Sequence, residues 1–293
     1  MKGEIAVKKK YSLAAVLACI CVGIWRILEL LLNTNSDTGF IISGSLLLRY
    51  LILALPVAVI AVITALFKAK NKQEQDLQVV LVAFNAAAVG AAANGIAALI
   101  MFAIGKTGAA GAVIDIATAI GAVWLSVSIQ RHKFSFAAAV LTSAALISAG
   151  VYAFLIGVSS IYRIAPVTEL CACLFSALFS VYLLKSFAIE KKEKRTLRLL
   201  YFSGLLTFYF CCCLFLPQQI WGLFTASAQP YMAAKTMLFT PFGFLGLISA
   251  LYSDEIAAFG TANKNDAAEI ENENGDKDET APLPENLQAA KQE

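Results

Sequence analysis

The sequence predicts an all-α fold: a polytopic transmembrane helix bundle of about eight spans, followed by a disordered acidic C-terminal tail. Three observations predict it. Of 293 residues, 59 % are hydrophobic and only 15 % charged, where soluble domains carry about a quarter charged. The apolar residues fall in runs of about 20, the length that crosses a hydrocarbon core about 30 Å thick. The cations gather in every second connector. The chain thus divides into a transmembrane domain, 1–253, and a tail, 254–293.

The first span, 12–33, follows Lys2, Lys8, Lys9 and Lys10. This start imitates a signal peptide, but the apolar run is too long for an h-region and no A-x-A-like site follows it. It reads as a retained helix. The second span, 46–67, opens with Arg49 near its start and carries Pro56 at its middle. The third and fourth, 77–104 and 109–129, are rich in small residues, as in "NAAAVGAAANGIAA" and "GAAGAVIDIATAIG". Small residues let backbones approach closely where lipid supplies little hydrophobic drive between helices. These two spans should therefore form a tight hairpin near the bundle centre. The fifth and sixth run 134–158 and 164–187, and the seventh 199–216. A connector, Leu216 to Tyr231, has a proline near each end and Trp221 in the middle, and is expected to lie along the interface. The eighth span, 232–252, contains Pro241 between Thr240 and Gly243. Proline removes a helical hydrogen bond and bends the helix, so Pro241 is a candidate hinge.

Four connectors are basic: the N-terminus; Lys68, Lys70 and Lys72; Arg131 and Lys133; and the 185–198 stretch with Lys185, Lys191, Lys192, Lys194, Arg195 and Arg198. The positive-inside rule puts these, and both termini, in the cytoplasm of a bacterial plasma membrane. The 185–198 loop could also hold anionic lipid. The tail holds eleven acids and three lysines, against nine acids and twenty cations in the rest of the chain. Low hydrophobicity with high net charge marks disorder. The tail reads as a solvated segment or as a docking segment for a protein partner. Arg49 and Arg163, with Pro56 and Pro166 after them, raise the question of a four-plus-four repeat.

Enzyme motifs are missing. The seven cysteines lie in spans at C-x-C and C-C-C spacings, not the C-x-x-C of zinc or thiol exchange. His132 is the sole histidine, which excludes H-E-x-x-H peptidases. "GKT" at 105–107 lacks the upstream glycine of a P-loop. No catalytic activity, cofactor, metal or nucleic-acid partner is expected.

The polar residues within spans carry the functional signal: Arg26, Glu29, Asn94, Asp115, Glu169 and Lys235. At 1.5 Å per residue they lie about 10, 6, 15, 9, 8 and 5 Å from the outer helix ends. All the ionisable ones fall in the outer half, although each would cost about 2.5–3.5 kcal/mol at a helix centre. Arg26 and Glu29, three apart, share a face and suit an ion pair. Three readings fit. The residues snorkel or bridge helices as structural glue. They line a water-filled pocket for a small polar or zwitterionic ligand or a lipid headgroup, serving small-solute transport or lipid handling. Or the protein is an accessory, sensory or scaffold subunit acting through its inner loops and acidic tail. Membrane lipid is a partner in each.

The first outer loop, "NTNSDTGFI", resembles that of a group of uncharacterised multi-pass membrane proteins of Gram-positive anaerobes, in which a D-x-x-T-G-F-like loop joins the first two spans. The matching residues are Asp37, Thr38, Gly39 and Phe40. The spacing departs, since Asp37 directly precedes Thr38, and Asn35 takes the family's acidic position. The resemblance implies a membrane location and no assigned activity. A tight turn also explains Asn35, Ser36, Asp37 and Gly39.

Overall fold

The computed structural model describes residues 2–35, 40–66, 78–131, 135–156, 164–188, 194–224, 230–253 and 256. The acidic tail apart from Ile256, His132, Arg163 and the Asp37–Gly39 motif residues lie outside these. The described chain is almost wholly helical, with no strand among the described residues. The helices are α1 (Lys2–Asn33), α2 (Leu46–Leu66), α3 (Gln78–Ala103), α4 (Ala109–Gln130), α5 (Phe136–Ile156), α6 (Ile164–Ala188), α7 (Lys194–Phe208), α8 (Leu216–Phe224) and α9 (Pro230–Leu251). Tyr209–Phe215 is a π-helical turn that joins α7 to α8 without a break. Seven of the resulting rods are long and apolar enough to cross a membrane, and α9 adds a shorter described apolar stretch, Lys235–Leu251. Leu31, Leu47, Val82, Val113 and Phe136 are exposed, leaving the perimeter apolar. A perimeter of this kind suits lipid, where a soluble bundle would show charge.

The seventh rod departs most from expectation. It runs through Leu216 to Phe224, so the first half of the expected interfacial connector is helix. Pro217 explains how. It lacks an N–H, and the wider π turn just before it absorbs the mismatch instead of ending the helix. This rod, not the α3–α4 hairpin, forms the centre. Of its apolar window 83 % is buried, against at most 50 % in any other span. Phe210 stacks on Phe175 of α6 at 5.0 Å, and Phe215 meets Phe239 of α9 edge-on at 4.8 Å.

The centre is built on glycine. Gly204 of α7 and Gly246 of α9 face each other so closely that a methyl on either would sit 2.5–2.6 Å from the other's carbonyl oxygen. Two further glycines pack on carbonyls near prolines. Pro241 cannot bond the Met237 carbonyl one turn back, and Gly90 of α3 packs directly on that oxygen. Gly23 of α1 packs on the π turn, where an added methyl would lie 3.1 Å from the Cys213 carbonyl oxygen. At Pro241 the proline removes a helical bond and the glycine lets the neighbouring helix close on the carbonyl. Pro241 is therefore packed shut, which argues against a free hinge there. Pairs expected to correspond in a repeat do not pack alike: α6 runs along α7, whereas α2 and α3 make little contact.

The cysteines are all free, and most are buried. They fill helix contacts: the Cys212 thiol reaches the Thr240 carbonyl at 3.5 Å and Cys211 lies 3.4 Å from Ser176 Oγ. No group of three metal-ligating side chains occurs among the described residues.

Candidate functional site

Antiparallel packing brings the ends of α1, α3, α5 and α8 together with the beginnings of α2, α4, α6 and α9. All six predicted residues lie toward this end of the bundle. Their side chains form two sets there.

The first set joins α1 to α2. Arg26 Nη1 donates to Glu29 Oε2, one helical turn along. Arg49 Nη1 lies 2.6 Å from the other Glu29 oxygen, Oε1. Arg49 was read from the sequence as a helix-end cation, and its place beside Glu29 is a finding of the structure. The short α1–α2 turn brings it there. Thr34 and Ile41 form an antiparallel bridge, Asn35 N–H bonds Phe40 O at 2.9 Å, and Ile42 N–H bonds Asn33 O at 2.9 Å. Gly44 then takes φ +96°, a conformation that favours glycine, and lies against the Arg49 guanidinium. Arg49 Nη2 donates to the Ser43 carbonyl in this turn. Tyr50 on α2 faces Arg26, and Tyr209 in the π turn also lies in its field. The three charged side chains are buried to within 3–6 % of full occlusion. Arg26 Nε has no hydrogen-bond partner.

The second set spans four helices. Lys235 of α9 pairs with Glu169 of α6, both side chains keeping 16–17 % exposure. Asp115 of α4 is coupled electrostatically to both. The Asn94 amide of α3 reaches the Asp115 carboxylate, yet neither amide atom has a well-aligned hydrogen-bond partner. Asn94 is fully buried and Asp115 nearly so. The small-residue contacts explain the convergence. Gly95 presses on Ala119, where an added methyl would lie 2.6 Å from the alanine Cβ, and this sets Asn94 beside Asp115. Gly90 on Met237 sets α9 against α3 two residues from Lys235. The sequence puts Asp115, Glu169 and Lys235 in the outer half and Asn94 near mid-depth, but offers no means of pairing them.

The sets differ in charge: two guanidiniums with one carboxylate in the first, two carboxylates with one ammonium in the second. Toward the opposite end, neutral side chains meet. Gln130 donates to Asn85 and lies 3.3 Å from Ser126 Oγ, and Ser12 and Tyr201 hydroxyls meet at 2.8 Å.

Apolar helices of spanning length with charge buried near one end define an integral, multi-pass membrane protein in contact with lipid. Compared with known proteins, the chain matches no family model, no curated protein and no solved structure.

Proposed function

We propose that this protein binds a small polar solute, bearing an amine or ammonium group, at Asn94, Asp115, Glu169 and Lys235, and serves its passage across the membrane. Fully buried Asn94 carries the reading. A buried amide whose hydrogen bonds are poorly made costs about 1–3 kcal/mol, and this one reaches the Asp115 carboxylate without good alignment, where four helices meet. Structural glue would spend those hydrogen bonds; a binding site holds them ready. The excess of carboxylate over ammonium suits a cationic or zwitterionic solute. The Lys235–Glu169 pair, the least buried part, is the natural point of exchange. The basic connectors support an orientation with both termini in the cytoplasm and this set near the outer face of a bacterial plasma membrane.

The test is thermal stabilisation of the purified full chain in neutral detergent by a panel of small amines, zwitterions and uncharged sugars. At saturation, about 100 times Kd, a ligand adds roughly 2.7 kcal/mol of stability. At least one amine or zwitterion is expected to raise Tm in the wild type and to lose its effect in Asp115→Asn. A panel that moves nothing, or moves Asp115→Asn equally, contradicts the reading.

A further inference from the structure

The first set has a debt that its own residues do not settle. Arg26 and Arg49 share the single Glu29 carboxylate, and all three are buried. Among the described residues, one positive charge is left without a carboxylate in a region of low dielectric, where an uncompensated ion costs several kcal/mol. The hydrogen bonds tell the same story. Arg26 Nε, on a side chain 97 % buried, has no acceptor among the described residues; Arg49 Nη1 is close to Glu29 Oε1 but not aligned as a donor. The start of α2 adds to this. A helix N-terminus carries partial positive charge and unpaired N–H groups, and α2 has no acidic residue in its first turn. Arg49 sits in that turn, where a cation is itself disfavoured. Each of these features is relieved by the same thing, an oxyanion between α1 and α2.

We propose that Arg26 and Arg49, with the first turn of α2, bind a phosphate group. The guanidinium fork matches phosphate oxygens bidentately, and Glu29 holds the two forks in register. The neighbouring surface says how such a group would be presented. Leu28, Leu31, Leu47 and Leu51 are all exposed on α1 and α2 next to the set, so acyl chains would lie along them. Arg49 and Glu29 are about 5–6 Å from their helix ends, a depth close to the headgroup region. The phosphate chemistry is common to a lipid headgroup and to free phosphate, and the experiment separates the two. This site uses other helices and other side chains than the solute site, and it stands or falls apart from it.

The probes are inorganic phosphate and dihexanoyl phosphatidylglycerol, below its micellar concentration, each titrated into the purified full chain in a neutral, phosphate-free detergent. Thermal stabilisation is the readout. The lipid is expected to raise Tm saturably. If inorganic phosphate does so at similar concentration, the site takes the phosphate group alone; if only the lipid does, the acyl chains are part of the ligand. Both outcomes support the site. Arg26→Gln should weaken the response about tenfold or more, the loss of one charge-assisted hydrogen bond. Glu29→Gln gives an effect of opposite sign. It raises the local charge by one, so phosphate should bind more tightly and stabilise this variant more than the wild type. That second variant guards against simple misfolding, since a damaged fold would not gain affinity. No response to either probe in the wild type overturns the proposal. So does an unchanged response in both variants, which would place binding elsewhere.

Discussion

The two charged sets lie at one end of the same bundle and are assembled in opposite ways. The Arg26–Glu29–Arg49 set is local: one helical turn and one tight turn of chain bring it together. It is the more buried and carries surplus positive charge. The Asn94–Asp115–Glu169–Lys235 set is drawn from four helices and has two acids to one cation. Its ion pair keeps some exposure, and its unaligned group is a neutral amide. Local assembly goes with deep burial, since one helical turn and the α1–α2 connection already hold the three side chains together. Assembly from four helices leaves the Lys235–Glu169 pair partly exposed. The comparison sets a locally built, charge-loaded clamp against the four-helix set at which we propose the solute binds.

The clamp should be the costlier to break. Glu29→Gln removes the carboxylate shared by two buried guanidiniums. Losing one partner of a buried ion pair costs about 3–5 kcal/mol, so without phosphate the variant should melt far below wild type in detergent. A loss under about 1 kcal/mol would mean the three charges are solvated after all. In the four-helix set, Glu169→Gln and Lys235→Met should each cost less, about 1–2 kcal/mol, because the pair is partly exposed. The double variant should cost less than the sum, and a double-mutant cycle measures this coupling. Strict additivity would break the pairing.

Gly90→Ala tests how the four-helix set is held. The added methyl meets the Met237 carbonyl that Pro241 leaves unpaired, and overpacking of this kind costs about 1–3 kcal/mol. It should also displace Lys235 from Asp115, so any solute response falls with it. A variant as stable as wild type would show that α3 and α9 do not meet as described. The smallest effect is expected at Tyr209→Phe. Its hydroxyl donates to the Leu53 carbonyl at 2.8 Å, in the turn that Pro56 opens, and the loss should be about 0.5–1.5 kcal/mol by thermal melting.

How far the sequence carries the reader follows the same division. The membrane bundle is legible because spanning length and apolar composition are properties of each helix alone. The Arg26–Glu29 pair is legible because i, i+3 neighbours share a face. Arg49 is not, since its partner is fixed by the Gly44 turn and not by helical spacing. Pairing Lys235 with Glu169, 66 positions apart, depends on which helices touch. That in turn depends on glycines whose counterparts lie on other helices. The continuation of the seventh rod past Pro217 escapes reading for a related reason. A proline near an apolar run normally signals an end, and only the π turn before it and Gly23 opposite show that it does not.

The most direct measurement is water access to the four-helix set. All seven cysteines are replaced, a single cysteine is placed at Asp115 or Glu169, and Asn35→Cys serves as the exposed control. Whole cells are then treated with a membrane-impermeant thiol reagent. The account predicts that Asp115→Cys and Glu169→Cys label along with the control. Labelling of the control alone would show four sealed structural partners and contradict the solute site.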